Sequence, residues 1–326
     1  MLKRLLLVVL CLCFVMPQTF AANLDSLVPA NADLVIRANV QQVLNIPELK
    51  AKLDEALKSE EAKKYETIFN VKQDINSVVV FVPFEAVEKG NPSNSTVGMI
   101  ADGNFDADKI IEEIKKAEKQ EGETITVTEE DGLKTVNYND GKGNESKIVF
   151  LDKNTIVMGT VTGVETVKSV KAGKTPAVAS KADFAASLAK LSQTAQVSGV
   201  FALPESAKQS AAANEQLADL GKVNFVRFGL TKMEDLDLEI IGDFAEAANV
   251  ENVKTAIDGL IKMLASNPAP YSALEDLVKN FASKVDGKSL AITSKITKAS
   301  LEKLVASNGA PEAGKVAPQQ TPAEAK

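Results

Sequence analysis

The sequence predicts an α+β protein: antiparallel sheets with helices packed on one face, arranged as two lobes that share a plan. Three observations lead there. Short β-branched runs end at Pro, Gly and Asp turn signals, several of them in hairpin order. Segments with helical spacing stand between the runs instead of alternating strictly with them, so a parallel doubly wound sheet is not indicated. Short motifs of the first half also recur in the second.

The elements follow in chain order. Leu34 to Val40 is a strand after the turn Val28-Pro29-Ala30-Asn31-Ala32-Asp33. Pro47 suits the first turn of a helix carrying Leu49, Leu53, Ala56 and Leu57 on one side. Ile75 to Val82 is a nearly continuous apolar run, read as a buried strand ended by Pro83, and Thr96 to Ala101 is the next strand. Asp106 caps a helix lined by Ile110, Ile111, Ile114 and Ala117. Thr124 to Thr128 and Leu133 to Tyr138 form a hairpin around Glu130-Asp131-Gly132, and Lys147 to Leu151 pairs with Thr155 to Gly159. A helix from Gly163 to Lys171 closes the unit near Gly173 and Pro176.

The second half opens with a helix, Asp183 to Leu191, and a strand, Val197 to Leu203. Val223 to Leu230 and Leu236 to Ile241 pair next. Asn249 caps the clearest amphipathic helix, with Val250, Val253, Ile257, Leu260, Ile261 and Leu264 in its stripe. A helix carrying Leu274, Leu277, Val278 and Phe281 precedes a last strand, Leu290 to Ile296. Val80-Phe81-Val82-Pro83-Phe84-Glu85 is matched by Val200-Phe201-Ala202-Leu203-Pro204-Glu205, and Ala101-Asp102-Gly103-Asn104-Phe105 by Ile241-Gly242-Asp243-Phe244. These matches suggest an internal repeat. The expected organisation is a signal peptide at 1–21, α+β domains at 22–176 and 177–306, and a disordered Ala/Pro-rich tail at 307–326.

Composition narrows the function. Lys3 and Arg4, the apolar run Leu5 to Met16, Pro17 and Ala21-Ala22 have the order of a secretory signal peptide. The only cysteines, Cys11 and Cys13, lie inside that run, and the chain has no histidine. Cleavage leaves neither thiol nor imidazole, which excludes the commonest nucleophile, general base and transition-metal ligand. The whole chain carries a net charge of -7, with Lys+Arg 37 against Asp+Glu 44, and loses Lys3 and Arg4 with the leader. Such an acidic chain repels nucleic acid and anionic lipid. No later segment is apolar for long enough to span a bilayer, so no integral membrane segment is expected after cleavage.

One cluster has the spacing of a calcium loop. With Asp102 as the first position, Asn104, Asp106, Asp108 and Glu113 fall at the third, fifth, seventh and twelfth. The sixth position, where the sharp turn needs glycine, is Ala107. The alternative is a turn followed by a helix cap. Other motifs are weaker. Gly173-Lys174-Thr175 and Gly287-Lys288-Ser289 lack the earlier glycine of a phosphate loop, and Ser187/Lys190 and Ser300/Lys303 occur as often as chance allows. Glu60/Glu61, Glu112/Glu113, Glu129/Glu130 and Asp235/Asp237 are read as exposed charge, with carboxylate hydrolysis as the functional alternative.

The opening Leu27-Val28-Pro29-Ala30-Asn31-Ala32-Asp33-Leu34-Val35, with Asn39 to Leu44 and Pro47-Glu48-Leu49, resembles exported bacterial proteins of unknown function that begin with a Leu-Pro-Ala-Asp-like turn, a strand and a short helix. Gly103-Asn104-Phe105-Asp106 before a helix also looks like theirs. The resemblance implies duplicated α+β units and no enzymology. Together these readings give a periplasmic or secreted bacterial protein that is not an enzyme. It binds an envelope protein or other envelope component and needs no cofactor, calcium excepted. The alternatives are a carboxylate-dependent hydrolase of the envelope and a carrier of an apolar ligand.

Overall fold

The computed structural model describes residues 24–47, 50, 74–84, 95–116, 122–192, 194–213, 218–232, 235–266 and 278–299. The segment read as a signal peptide, the helix expected over Leu49 to Leu57 apart from Lys50, the Leu274 and Leu277 positions of the next expected helix, and the segment read as a disordered tail lie outside the described residues.

The strands come from the runs the sequence marks. They are β1 (Leu34–Asn39), β2 (Ile75–Val82), β3 (Gly98–Gly103), β4 (Thr124–Glu130), β5 (Leu133–Asn139), β6 (Glu145–Phe150), β7 (Thr155–Thr160), β8 (Val197–Ala202), β9 (Val223–Lys232), β10 (Leu236–Phe244), β11 (Ala282–Asp286) and β12 (Ser289–Ile296). The helices are α1 (Val40–Val43), α2 (Ala107–Lys116), α3 (Val161–Lys171), α4 (Ala182–Ala189), α5 (Glu205–Ala212) and α6 (Ala247–Ser266). All twelve strands join one antiparallel sheet, in the order β11-β12-β10-β9-β8-β1-β2-β3-β7-β6-β5-β4.

β1 is the seam of this sheet. Leu34 faces Val82 on β2 and Phe201 on β8, and Ala38 faces Val78 and Val197. The 22–176 and 177–306 segments therefore share a sheet, hydrogen-bonded across their boundary. On each side of the seam the strands follow the same path: β1, a helical segment, β2, β3, a helix, and a return strand (β7) beside β3. The other side runs β8, α5, β9, β10, α6 and a return strand (β12) beside β10. The first side adds β4, β5 and β6 before its return strand; the second adds only β11.

The helices lie on both faces, not on one as the sequence suggested. Val78 and Val80 pack with Ile110, Ile111 and Ile114 of α2. The intervening Val79 and Phe81 pack with Val164 and Val167 of α3 and with Phe184 and Leu188 of α4. A strand covered on both faces must be apolar at every position, which is what the unbroken run in β2 records. A third cluster, Val223, Phe244, Val250, Val253 and Leu290, seats α6 at the far end.

Two sequence expectations shift. Asn249 is not the cap of α6, which begins at Ala247; its side chain is buried and accepts from Lys222 Nζ at 3.0 Å. Phe281 is not helical and leads into β11, an edge strand whose five residues are mostly polar.

Candidate functional site

The five expected calcium ligands do not converge. Asp102 is the next-to-last residue of β3 and accepts from Asn76 Nδ2 at 3.3 Å. Asn104 is exposed, and its backbone N–H goes to Asp74 O at 2.8 Å. Asp106 Oδ1 accepts from the Lys109 N–H at 3.1 Å, the capping role that its position before a helix allows. Asp108 takes Lys134 Nζ at 2.5 Å, and Glu113 takes Lys116 Nζ at 3.0 Å. Among the described residues no group of three or more acidic, histidine or cysteine side chains gathers around one point. The physical reason lies at Ala107. A calcium loop turns sharply at that position to bring its oxygens inward, whereas here α2 begins there and carries Asp108 and Glu113 along a straight axis.

The same corner borders a cleft. It has a volume of ≈ 1030 Å³, open to solvent, at the end of the sheet where β3 and β6 finish and β5 starts. Its lining includes half-buried Leu133 and the buried Phe105, Ile110, Phe150 and Leu151. Its rim carries Asp74, Asp106 and Asp152 beside Lys109, Lys134 and Lys153. The walls are stitched together by hydrogen bonds: Gly103 N donates to Asn154 O at 2.8 Å and Phe105 N to Lys153 O at 3.0 Å through the backbone, and the Asn154 side chain donates from Nδ2 to Gly103 O at 2.7 Å. Gly103 is required by contact, since a Cβ there would lie 1.9 Å from Asp74 O. The Asp108–Lys134 pair links α2 to β5 across the opening.

Electrostatics beside the cleft split two carboxyls. Burial pushes Asp102 above the usual carboxylate range, against the Asn76 hydrogen bond, and repulsion from Asp152 adds to the rise. Asp152 is held down. Burial opposes this, but hydrogen bonds from the Asn154 N–H and from Thr155, with the charge of Lys171 nearby, outweigh it.

A smaller recess of ≈ 340 Å³ lies further out on the sheet, lined by Thr124, Thr126, Asn137, Tyr138, Asn139, Glu145, Ser146, Lys147 and Val161. Lys147, with only 9% of its side chain exposed, sits between Glu130 at 2.9 Å and Glu165 at 2.7 Å, and Lys168 approaches Glu165 at 3.2 Å. The Lys147 hydrogen bond is the main reason that Glu130 falls to about 2. Lys147 itself is raised: burial works against its charge, and the two glutamates more than offset that.

No protein-family model matches the chain, and no curated protein matches it significantly. Among solved structures it is similar to one described as crystal form I of TP0453, with a TM-score of 0.44 and 12% sequence identity, over 89% of this chain and 99% of that chain.

Sequence reasoning missed the cleft, because its lining is drawn from four separated segments. It also missed the fate of the arginines. Arg37, on β1, pairs with Asp25, its Nε at 2.9 Å from Oδ1, and donates to Leu188 O. Arg227, on β9, holds Asp243 through two bonds of 2.7 and 2.9 Å, with Ser289 Oγ on the same carboxylate at 2.7 Å. Both guanidinium groups are buried and committed inside the fold. Among the described residues no helix is long and apolar enough to cross a membrane.

Proposed function

We propose that this chain is an exported, non-catalytic binding protein of the bacterial envelope, and that it seats a segment of an envelope protein in the cleft between α2 and the β6–β7 loop. The observation that carries this reading is the cleft's lining. Half-buried Leu133, flanked by the buried Phe105, Ile110, Phe150 and Leu151, offers apolar contact for one side chain, while three lysines and three aspartates on the rim suit a peptide's flanking charges. The charge balance of the rim favours a partner segment of mixed sign. The leader-like order of residues 1–22 supports the location.

The test is photocrosslinking in intact envelopes from a benzophenone amino acid at Leu133, which is half-buried in the cleft lining. One crosslinked envelope protein is expected, its yield falling several-fold with Lys134→Glu. A crosslink pattern indifferent to Lys134→Glu removes the reading.

A second reading, hydrolysis by carboxylates alone, draws on Asp102 and Asp152, whose surroundings push their proton affinities in opposite directions. It requires purified envelope glycan to be cleaved by the wild type and spared by both Asp102→Asn and Asp152→Asn. Carriage of an apolar ligand gains no such support, since both described recesses are open and rimmed by polar groups.

A further inference from the structure

Among the described residues, β4 and β11 are the two edges of the sheet. They differ in the features that keep an edge from pairing. β11 has five residues and carries Lys284 and Asp286. β4 has seven residues, pairs with β5 without a bulge, and contains neither proline nor lysine. Its stretch Thr124-Ile125-Thr126-Val127-Thr128 is uncharged and wholly β-branched. Edges of solitary domains are blunted by charge, proline, bulges or shortness, and β4 has none of these devices over its central residues.

The hairpin turn settles which backbone groups face outward. Asp131 and Gly132 have φ of 54° and 75°, a two-residue turn with both residues left-handed. Such a turn closes on Glu130 and Leu133 as a pair that exchanges both hydrogen bonds. Alternation then gives Thr128 with Thr135, Thr126 with Asn137 and Thr124 with Asn139 the same status. Ile125, Val127 and Glu129 therefore direct their N–H and C=O groups away from β5, along the open edge. The side chains of Ile125 and Val127 lie against the α2-side core, while Thr124 and Thr126 line the small polar recess on the other face.

We propose that this edge accepts an extended segment of another protein as an additional strand. The incoming segment alternates, with apolar side chains beside Ile125 and Val127, hydroxyl or amide side chains beside Thr124 and Thr126, and a lysine or arginine opposite exposed Glu129. A second copy of this chain fits less well. Two-fold pairing about Val127 places Glu123 beside Asp131 of the other copy at both ends, on molecules that each carry a net charge of -7. The site is separate from the cleft and does not depend on its occupancy.

The experiment uses the full chain and a fluorescent synthetic peptide, Lys-Thr-Val-Thr-Val-Thr-Lys, read by anisotropy and by residue-resolved amide hydrogen exchange. Binding is expected with a Kd below about 1 mM. The amides of Ile125, Val127 and Glu129 gain protection, while those of Thr124, Thr126 and Thr128, already bonded to β5, change little. Val127→Pro removes an outward N–H and leaves the β4–β5 bonds in place, so it abolishes binding. Glu129→Lys, at an exposed side chain that the fold does not need, weakens this peptide about tenfold and restores binding to the Glu-flanked version. No binding at about 1 mM, protection at other amides, or indifference to both substitutions overturns the proposal. A homodimer that Val127→Pro dissolves overturns it in favour of self-pairing.

Discussion

Arg37 and Asp25 show how a single ion pair can anchor the segment before a strand. The guanidinium is buried beneath α4, and its carboxylate partner comes from the turn that begins the described chain. Asp25→Asn leaves a buried cation without its counter-ion and is expected to cost about 3 kcal/mol in urea unfolding. The pairing was not legible in the sequence, because no periodicity links the two positions. Glu130 offers a test by pH. Its folded value of about 2 lies below its ordinary 4.5, so its contribution is complete above the ordinary value and is lost as pH falls through the folded one. Glu130→Gln should lower stability by about 1 kcal/mol at neutral pH, reduced by partial exposure. Thermal melts should show the gap to the wild type closing as pH falls from about 4.5 to about 2. Asp102 has the opposite sign. Its raised value means that the folded state is penalised once pH passes the ordinary 3.8, so Asp102→Asn should raise the melting temperature at neutral pH and leave it unchanged in strong acid.

The helices and hairpins were the most legible features, because their signals are local. Asp106, placed before Ile110, Ile111 and Ile114, marked the start of α2, and the structure confirms the cap. Asp106→Ala should therefore destabilise by about 1 kcal/mol in chemical denaturation, with or without calcium in the buffer. Asp131-Gly132 marked the β4–β5 turn. Gly132→Ala forces a side chain onto φ of 75° and should loosen the hairpin, seen as faster amide exchange in β4 and β5. β11 was missed for a physical reason: an edge strand with polar side chains lacks the apolar alternation that reveals strands. Asn249 misled because a good capping residue inside a helix reads like a start until its real partner, Lys222, is known.

At the scale of the molecule, the α+β class was readable and the single sheet was not. Strand order depends on contacts between residues far apart in sequence, such as Val35 with Val200, which no local window contains. Both large core clusters draw on both halves, Ala38 with Val197 and Leu230 in one, Val35 with Phe184 and Val200 in the other. Urea unfolding should accordingly give one main transition, and a chain cut at residue 176 should lose β8, one of β1's two partners, and fail to reach native near-ultraviolet dichroism. The burial of both arginines has a further, practical meaning. Beyond Arg4, the chain presents an arginine-specific protease with two bonds only, after Arg37 in the central strand and after Arg227 in β9. Neither site can enter a protease cleft while its strand stays paired, so digestion under native conditions becomes a clock for opening of the sheet, its rate set by the free energy of that opening and not by surface chemistry.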